Sequence, residues 1–145
     1  MGRSANVAEL PPWADALIER SRIAHLGLVD DAGAPRVLPV TYARCGERLV
    51  SAVDQKPKRV AGQELARIRW LRARPRAALT IDRYEDEWSR LAWVQVLGRV
   101  ELLDVTQAGE ELAALRERYP QYLDAPPPGP VLVLTPERIL FWRAA

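Results

Sequence analysis

Histidine, cysteine, methionine and phenylalanine occur once each in this 145-residue chain, and lysine twice. The single cysteine, Cys45, excludes an internal disulfide, and with the single histidine, His25, it is too little for a structural zinc site. His25 has apolar neighbours on a β-like segment and reads as a structural residue, and Cys45 beside Gly46 reads as a plain thiol in a turn. No histidine lies near Ser51 in the sequence, so no nucleophilic triad is suggested and no catalytic side chain is assigned. No apolar run approaches the roughly eighteen residues of a membrane-spanning helix, and Met1 to Leu10 lacks the apolar centre of a signal peptide. A cytoplasmic protein with no membrane insertion is expected. Charge of one sign is also scarce: 21 cations against 19 anions leave +2, so no partner is demanded by long-range attraction. No basic stripe with interleaved aromatics exists to make a nucleic-acid module.

What is present is a chain with enough apolar residues, 48%, for one globular domain spanning residues 1–145. The two lysines stand together in Asp54-Gln55-Lys56-Pro57-Lys58-Arg59, directly after the apolar Leu49-Val50-Ser51-Ala52-Val53. That places three cations in a Pro-stiffened loop leaving a strand, a composition suited to a phosphate. A solvated basic turn is the competing reading.

The periodicities predict a helix from about 12 to 21 behind Pro11-Pro12. Strands over 23–29 and 36–43 are separated by the turn composition Asp30-Asp31-Ala32-Gly33, which predicts a hairpin. A third strand over 48–53 would make these a three-stranded meander. A helix over 62–73, closed by Arg74-Pro75, is followed by strands at 77–81 and 91–103, the latter alternating Trp93, Gln95, Leu97 against Val94, Val96, Gly98. Gly98 suggests a bend or bulge. A second amphipathic helix carries Leu112, Leu115 and Tyr119, and after the Pro-rich connector 125–130 two short strands at 131–134 and 139–142 are expected. Six or seven antiparallel strands with helices at the margins predict a β-rich α+β barrel.

Three blocks carry a family resemblance: Gly33-Ala34-Pro35-Arg36-Val37-Leu38-Pro39-Val40, the run Ser51 to Lys58, and Asp82-Arg83-Tyr84-Glu85-Asp86-Glu87-Trp88 leading into Trp93-Val94-Gln95-Val96-Leu97-Gly98. Over residues 13–143 the chain resembles the split-barrel flavin-binding family typified by pyridoxamine 5'-phosphate oxidase, in its deazaflavin-dependent branch. The resemblance implies a homodimer with a cofactor at its interface, Lys56 and Lys58 at the phosphate, Arg36 directed toward it, and Ser51, Ala52 and Val53 beside the ring. Pro39, Val40 and Thr41 stand where the vitamin-oxidising enzymes have Leu-Leu-Lys, and Trp93 stands where they have a glutamine. These departures favour coenzyme F-420, a 5-deazaflavin, over flavin mononucleotide (FMN). The implied site is therefore Arg36, Pro39, Val40, Thr41, Ser51, Ala52, Val53, Gln55, Lys56, Lys58, Trp88 and Trp93, with no metal.

The activity implied is hydride transfer between F-420 and a small planar or apolar substrate. An FMN-dependent oxidoreductase of the same fold, or a non-enzymatic binder of flavin, deazaflavin or haem, stands as the alternative. Tyr84, Trp88 and Trp93 could wall the pocket, across the dimer, although Trp88 suits the interface at least as well. Asp82, Glu85, Asp86 and Glu87 read as a solvated loop.

Overall fold

The structure, a computed structural model, describes residues 1–53 and 62–144, with residues 62–65 described by backbone alone. Strands β1 (Gly2–Ser4), β2 (Ala24–Val29), β3 (Pro35–Val40), β4 (Ala43–Cys45), β5 (Arg48–Ala52), β6 (Arg76–Arg83), β7 (Ala92–Leu103) and β8 (Val131–Arg143) form one antiparallel sheet. Its order is β3-β2-β6-β7-β8-β5-β4, with β1 pairing β8. Helices α1 (Pro12–Arg20), α2 (Gly62–Ala73), α3 (Gly109–Arg118) and α4 (Gln121–Asp124) lie at its margins. This is a strand-rich α+β split barrel, as the sequence pattern predicts.

The β2–β3 hairpin forms because Asp30 Oδ1 accepts the amides of Ala32 and Ala34 at 3.0 and 2.9 Å, while Gly33 takes φ +80°, which a side chain rarely adopts. The expected meander does not form. β3 ends at Val40, short of the Ala43 expected from sequence, and β5 pairs with β4 and β8 rather than with β3. Tyr42 diverts the chain: it is fully buried, its hydroxyl donates to the Ile18 carbonyl at 2.6 Å, and its amide donates to the Tyr119 hydroxyl at 3.1 Å. Breaking these bonds to continue β3 would strand buried polar groups.

β8 also differs from expectation. The two short strands are one, because Pro136 sits opposite Gly98 at a bulge that leaves Glu137 as an extra residue between Pro136↔Gly98 and Arg138↔Leu97. β1 gave no sequence signal.

Alternation along β7 is as predicted: Val94 and Val96 are fully buried, and Trp93, Gln95 and Leu97 turn to the other face. The inner face joins α1 in a core that includes Leu26, Ile81, Leu134 and Ile139. A second cluster, with Val50, Val133, Leu115 and Tyr122, packs α3 and α4 against β4, β5 and the start of β8.

The outer face is continuous across five strands. One lateral row runs Val37, Gly27, Ala78, Leu97, Arg138, and the next runs Pro39, His25, Thr80, Gln95, Leu140. His25 is exposed there, so it is no packing residue of the core.

Candidate functional site

Ser51, Ala52 and Val53 end β5, and the structure brings them to Thr41. Ser51 is buried and its Oγ donates to the Thr41 carbonyl at 2.6 Å, while Thr41 Oγ1 and the Tyr122 hydroxyl share a hydrogen bond of 2.7 Å. The two hydroxyl side chains therefore fasten the crossing after β3 to β5 and α4. The Val53 amide donates to the Pro130 carbonyl, and its carbonyl accepts from the Gly129 amide, both at 3.2 Å. Strand alternation then turns the backbone of Ser51 toward β8 and that of Ala52 toward the opposite edge, where β4 has ended at Ala43. Of the three residues, Ala52 has the backbone donor and acceptor aimed away from the sheet's own ladder with β8. Val40 is buried at the end of β3, and Pro39 lies on the outer face beside His25.

Gln55, Lys56 and Lys58 lie outside the described residues. Arg36 is half-exposed and engaged on two sides: its guanidinium meets Asp30 Oδ2 at 3.4 Å and lies over the Trp70 ring of α2 at 4.8 Å from its centroid. The amide of Ala34, reinforced by those of Ala32 and by Arg36, holds the Asp30 carboxyl below the usual carboxylate range against the opposing effect of desolvation.

Trp93 is half-buried on the outer face, in register with Asp82 on β6 and Trp142 on β8. Trp88, in a short 3₁₀ turn (Trp88–Arg90), is 70% exposed, and Tyr84 is 69% exposed. Ser51 pairs with Leu132 near the start of β8, whereas Trp93 pairs with Trp142 near its end. At about 3.3 Å per residue these points would be on the order of 30 Å apart along a straight strand. The fold of one chain thus collects Thr41, Ser51, Ala52 and Val53 at one end of β8 and Trp93 at the other.

On the outer face, Gly27, Ala78 and Leu97 floor a groove of about 540 Å³, bordered by Val37, Arg76 and Arg138. The groove exists because small residues occupy the middle strands: a Cβ at Gly27 would meet nothing closer than Ala78 at 3.8 Å.

Cys45 ends β4 half-buried. Burial, seconded by the Glu111 and Glu110 carboxylates and opposed by Arg48, pushes its thiol up, away from the reactive thiolate. Burial likewise pushes the Tyr42 phenol up and keeps it a neutral hydrogen-bond donor. Sequence reasoning missed Tyr122 at the Thr41 crossing, since a tyrosine in Pro120-Gln121-Tyr122 carries no pattern that names a partner 81 residues away.

A family model for pyridoxamine 5'-phosphate oxidase matches residues 10–143, and the chain belongs to that family. No curated protein sequence matches it. Among solved structures, it is similar to an F420 reductase at 23% identity and a TM-score of 0.62, covering 90% of this chain and 98% of that one. It is similar to a haem storage protein from Vibrio cholerae at 16% identity and a TM-score of 0.68, over 92% and 94% of the two chains. A FAD-binding protein from Mesorhizobium loti shares 20% identity and a TM-score of 0.64 over 96% and 95%. At these identities the neighbours establish the fold, and what they bind differs among them.

Proposed function

We propose that the protein is an oxidoreductase that binds coenzyme F-420 at the end of β5 and passes a hydride between it and a small planar or apolar substrate. The observation that carries this reading is the end of β5 itself: a strand whose Ala52 backbone is turned to an edge beside Thr41, followed at once in sequence by Lys56 and Lys58. These parts fit the two ends of such a cofactor, with a backbone donor and acceptor for the polar rim of a ring and paired ammonium groups for a phosphate. The bonds of Ser51 to Thr41 and of Thr41 to Tyr122 fix that edge before any ligand arrives, which spares the entropy of ordering it on binding.

When bound, a 5-deazaflavin supplies the ring carbon that gives or takes the hydride. The chain's own contribution is to orient the ring against β5, to hold the phosphate, and to keep water from the reacting face. Arg36 supports the phosphate end indirectly, held on β3 between Asp30 of the β2–β3 turn and Trp70 of α2. FMN in the same place is the second reading, because the lysines serve either phosphate, and the FAD-binding and haem storage neighbours keep a carrier role beside it.

The test is a titration of the purified protein with F-420, FMN and haem, followed by absorption and fluorescence. Saturable binding of F-420 at least about tenfold tighter than FMN, a difference of about 1.4 kcal/mol, is the expected result. Protein that arrives with flavin or haem bound and ignores F-420 would remove the leading reading.

Trp88 and Trp93 reach such a site only from a second copy, and the outer face offers the means. Val37 is 70% exposed, and it shares that face with half-buried Leu97, Leu140, Trp93 and Trp142, an unusual amount of apolar surface for a sheet face turned outward. A homodimer closed through this face is expected, with a mass by light scattering of twice 16.3 kDa. Val37→Glu, at the β3 end of a lateral row, should shift it toward monomer and weaken F-420 binding in parallel. A wild-type monomer that binds cofactor at full stoichiometry would rule out the shared site.

A further inference from the structure

The outer face of the sheet is polarised from end to end. At one end Arg76 and Arg99 are in register on β6 and β7, and Arg76 and Arg138 border the groove floored by Gly27 and Ala78. At the other end Asp82 is in register with Trp93 and Trp93 with Trp142, and the connection from β6 to β7 adds Glu85, Asp86 and Glu87. At about 3.3 Å per residue, Arg76 and Asp82 are on the order of 20 Å apart along β6. The row between the two ends, Pro39, His25, Thr80, Gln95 and Leu140, holds no arginine and no carboxylate. Each end has countercharges: Glu137 pairs with Arg76, Arg90 with Glu85, and Arg83 donates to the Arg90 carbonyl. Arg99, Arg138, Asp82 and Asp86 are exposed and in no ion pair among the described residues. Bulk follows charge, since small residues hollow the cationic end and two tryptophans fill the anionic one.

We propose that two copies of this chain pack outer face to outer face about a two-fold axis that runs across the strands near the Thr80–Gln95 row. The tryptophans and carboxylates of each copy then meet the arginine-bordered groove of the other. This rests on the reading that the face closes on a second copy, and it adds which end meets which. Faces packed in alignment can be related by a two-fold along the strands or across them. An axis along the strands lays arginines against arginines and carboxylates against carboxylates, which the unpaired charges oppose. An axis across the strands sets opposite charges together and brings bulk to the hollow. The sheet's edges offer no substitute. Because the Asp30 amide bonds the Ala34 carbonyl, alternation from there turns the backbones of Pro35, Val37 and Pro39 away from β2, toward the open edge. Two of those three have no N–H, and β4 at the opposite edge is three residues long, so neither edge suits a strand added from a partner.

The experiment measures the dimer dissociation constant of the full-length chain by sedimentation velocity. For the wild type it should rise as ionic strength goes from about 0.02 to about 0.3 M, because screening weakens the attraction of unlike ends. At the lower ionic strength, Arg99→Glu/Arg138→Glu and Asp82→Arg/Asp86→Arg should each weaken the dimer about tenfold or more. All four substitutions together exchange the two ends and should bring the constant back to within about threefold of wild type. The changed side chains are exposed, so Tm should stay within a few degrees throughout. A dimer that tightens with salt overturns this axis, as do paired reversals that leave it unchanged or that fail to compensate when combined. If Val37→Glu still dissociates such a dimer, the face stands and the arrangement falls. A wild-type monomer, or a dimer indifferent to Val37→Glu as well, removes the face and the arrangement together.

Discussion

Gly98→Val should lower the Tm by roughly 10 °C or more or leave the chain unfolded, whereas Gly27→Ala should leave it within a few degrees of wild type. The two glycines differ in what a side chain would meet. A Cβ at Gly98 would lie 2.0 Å from the Thr135 carbonyl oxygen and 2.8 Å from its carbon, with Pro136 Cα at 3.1 Å. All three are backbone atoms of the paired strand, so no rotamer change can relieve the clash. Relief requires β7 and β8 to part at the bulge, next to buried Val96 and Val100, and overpacking of this kind costs about 3 kcal/mol or more. At Gly27 the nearest atom is 3.8 Å away and the added methyl enters the outer groove. Thermal melts of the two variants decide it. Equal stability would mean that β8 does not hold Pro136 against Gly98.

The double variant Lys56→Ala/Lys58→Ala should abolish cofactor binding at concentrations that saturate wild type. Each charge-assisted contact to a phosphate lost costs roughly 1.5 to 3 kcal/mol, so together the two come to about 3 to 6 kcal/mol, or a factor of about a hundred at least. The apo Tm should hardly move. The expectation rests on sequence, since both residues lie outside the described residues. Binding equal to wild type in the double variant would return the loop to an ordinary solvated turn.

What the sequence discloses here is local. The β2–β3 turn was legible because Asp30 and Gly33 have a mechanism for turning the chain within four residues, and the faces of β7 were legible because alternation is a property of one strand. The bounds of α2 came from its flanking Pro75 and helical spacing. Partner choice was not legible. Nothing in Arg48–Ala52 says that it pairs with Val131–Leu134 rather than with Pro35–Val40, because the decision is made by buried Tyr42 meeting Ile18 and Tyr119. The expected division into strands at 131–134 and 139–142 does not occur, because Pro136 between them, which cannot donate to a ladder, lies opposite Gly98 at a bulge that makes the donor unnecessary. The same limit applies to sites. Thr41 and Ser51 were named from resemblance, but the place of Tyr122 arises from a contact across the chain that spacing cannot encode.

β8 hydrogen-bonds to β1, β5 and β7, strands drawn from the beginning, middle and later part of the sequence. During synthesis, residues 2–4 and 48–52 therefore have no sheet to join until residues 131–143 leave the ribosome. Such high contact order slows folding and leaves strand edges open in the nascent chain. Assembly must be late and concerted, with the hairpin β2–β3 and its neighbours β6 and β7 able to gather first while β4–β5 waits unattached. A ribosome-stalled chain ending before residue 131 would be a substrate for chaperones rather than a smaller version of the protein.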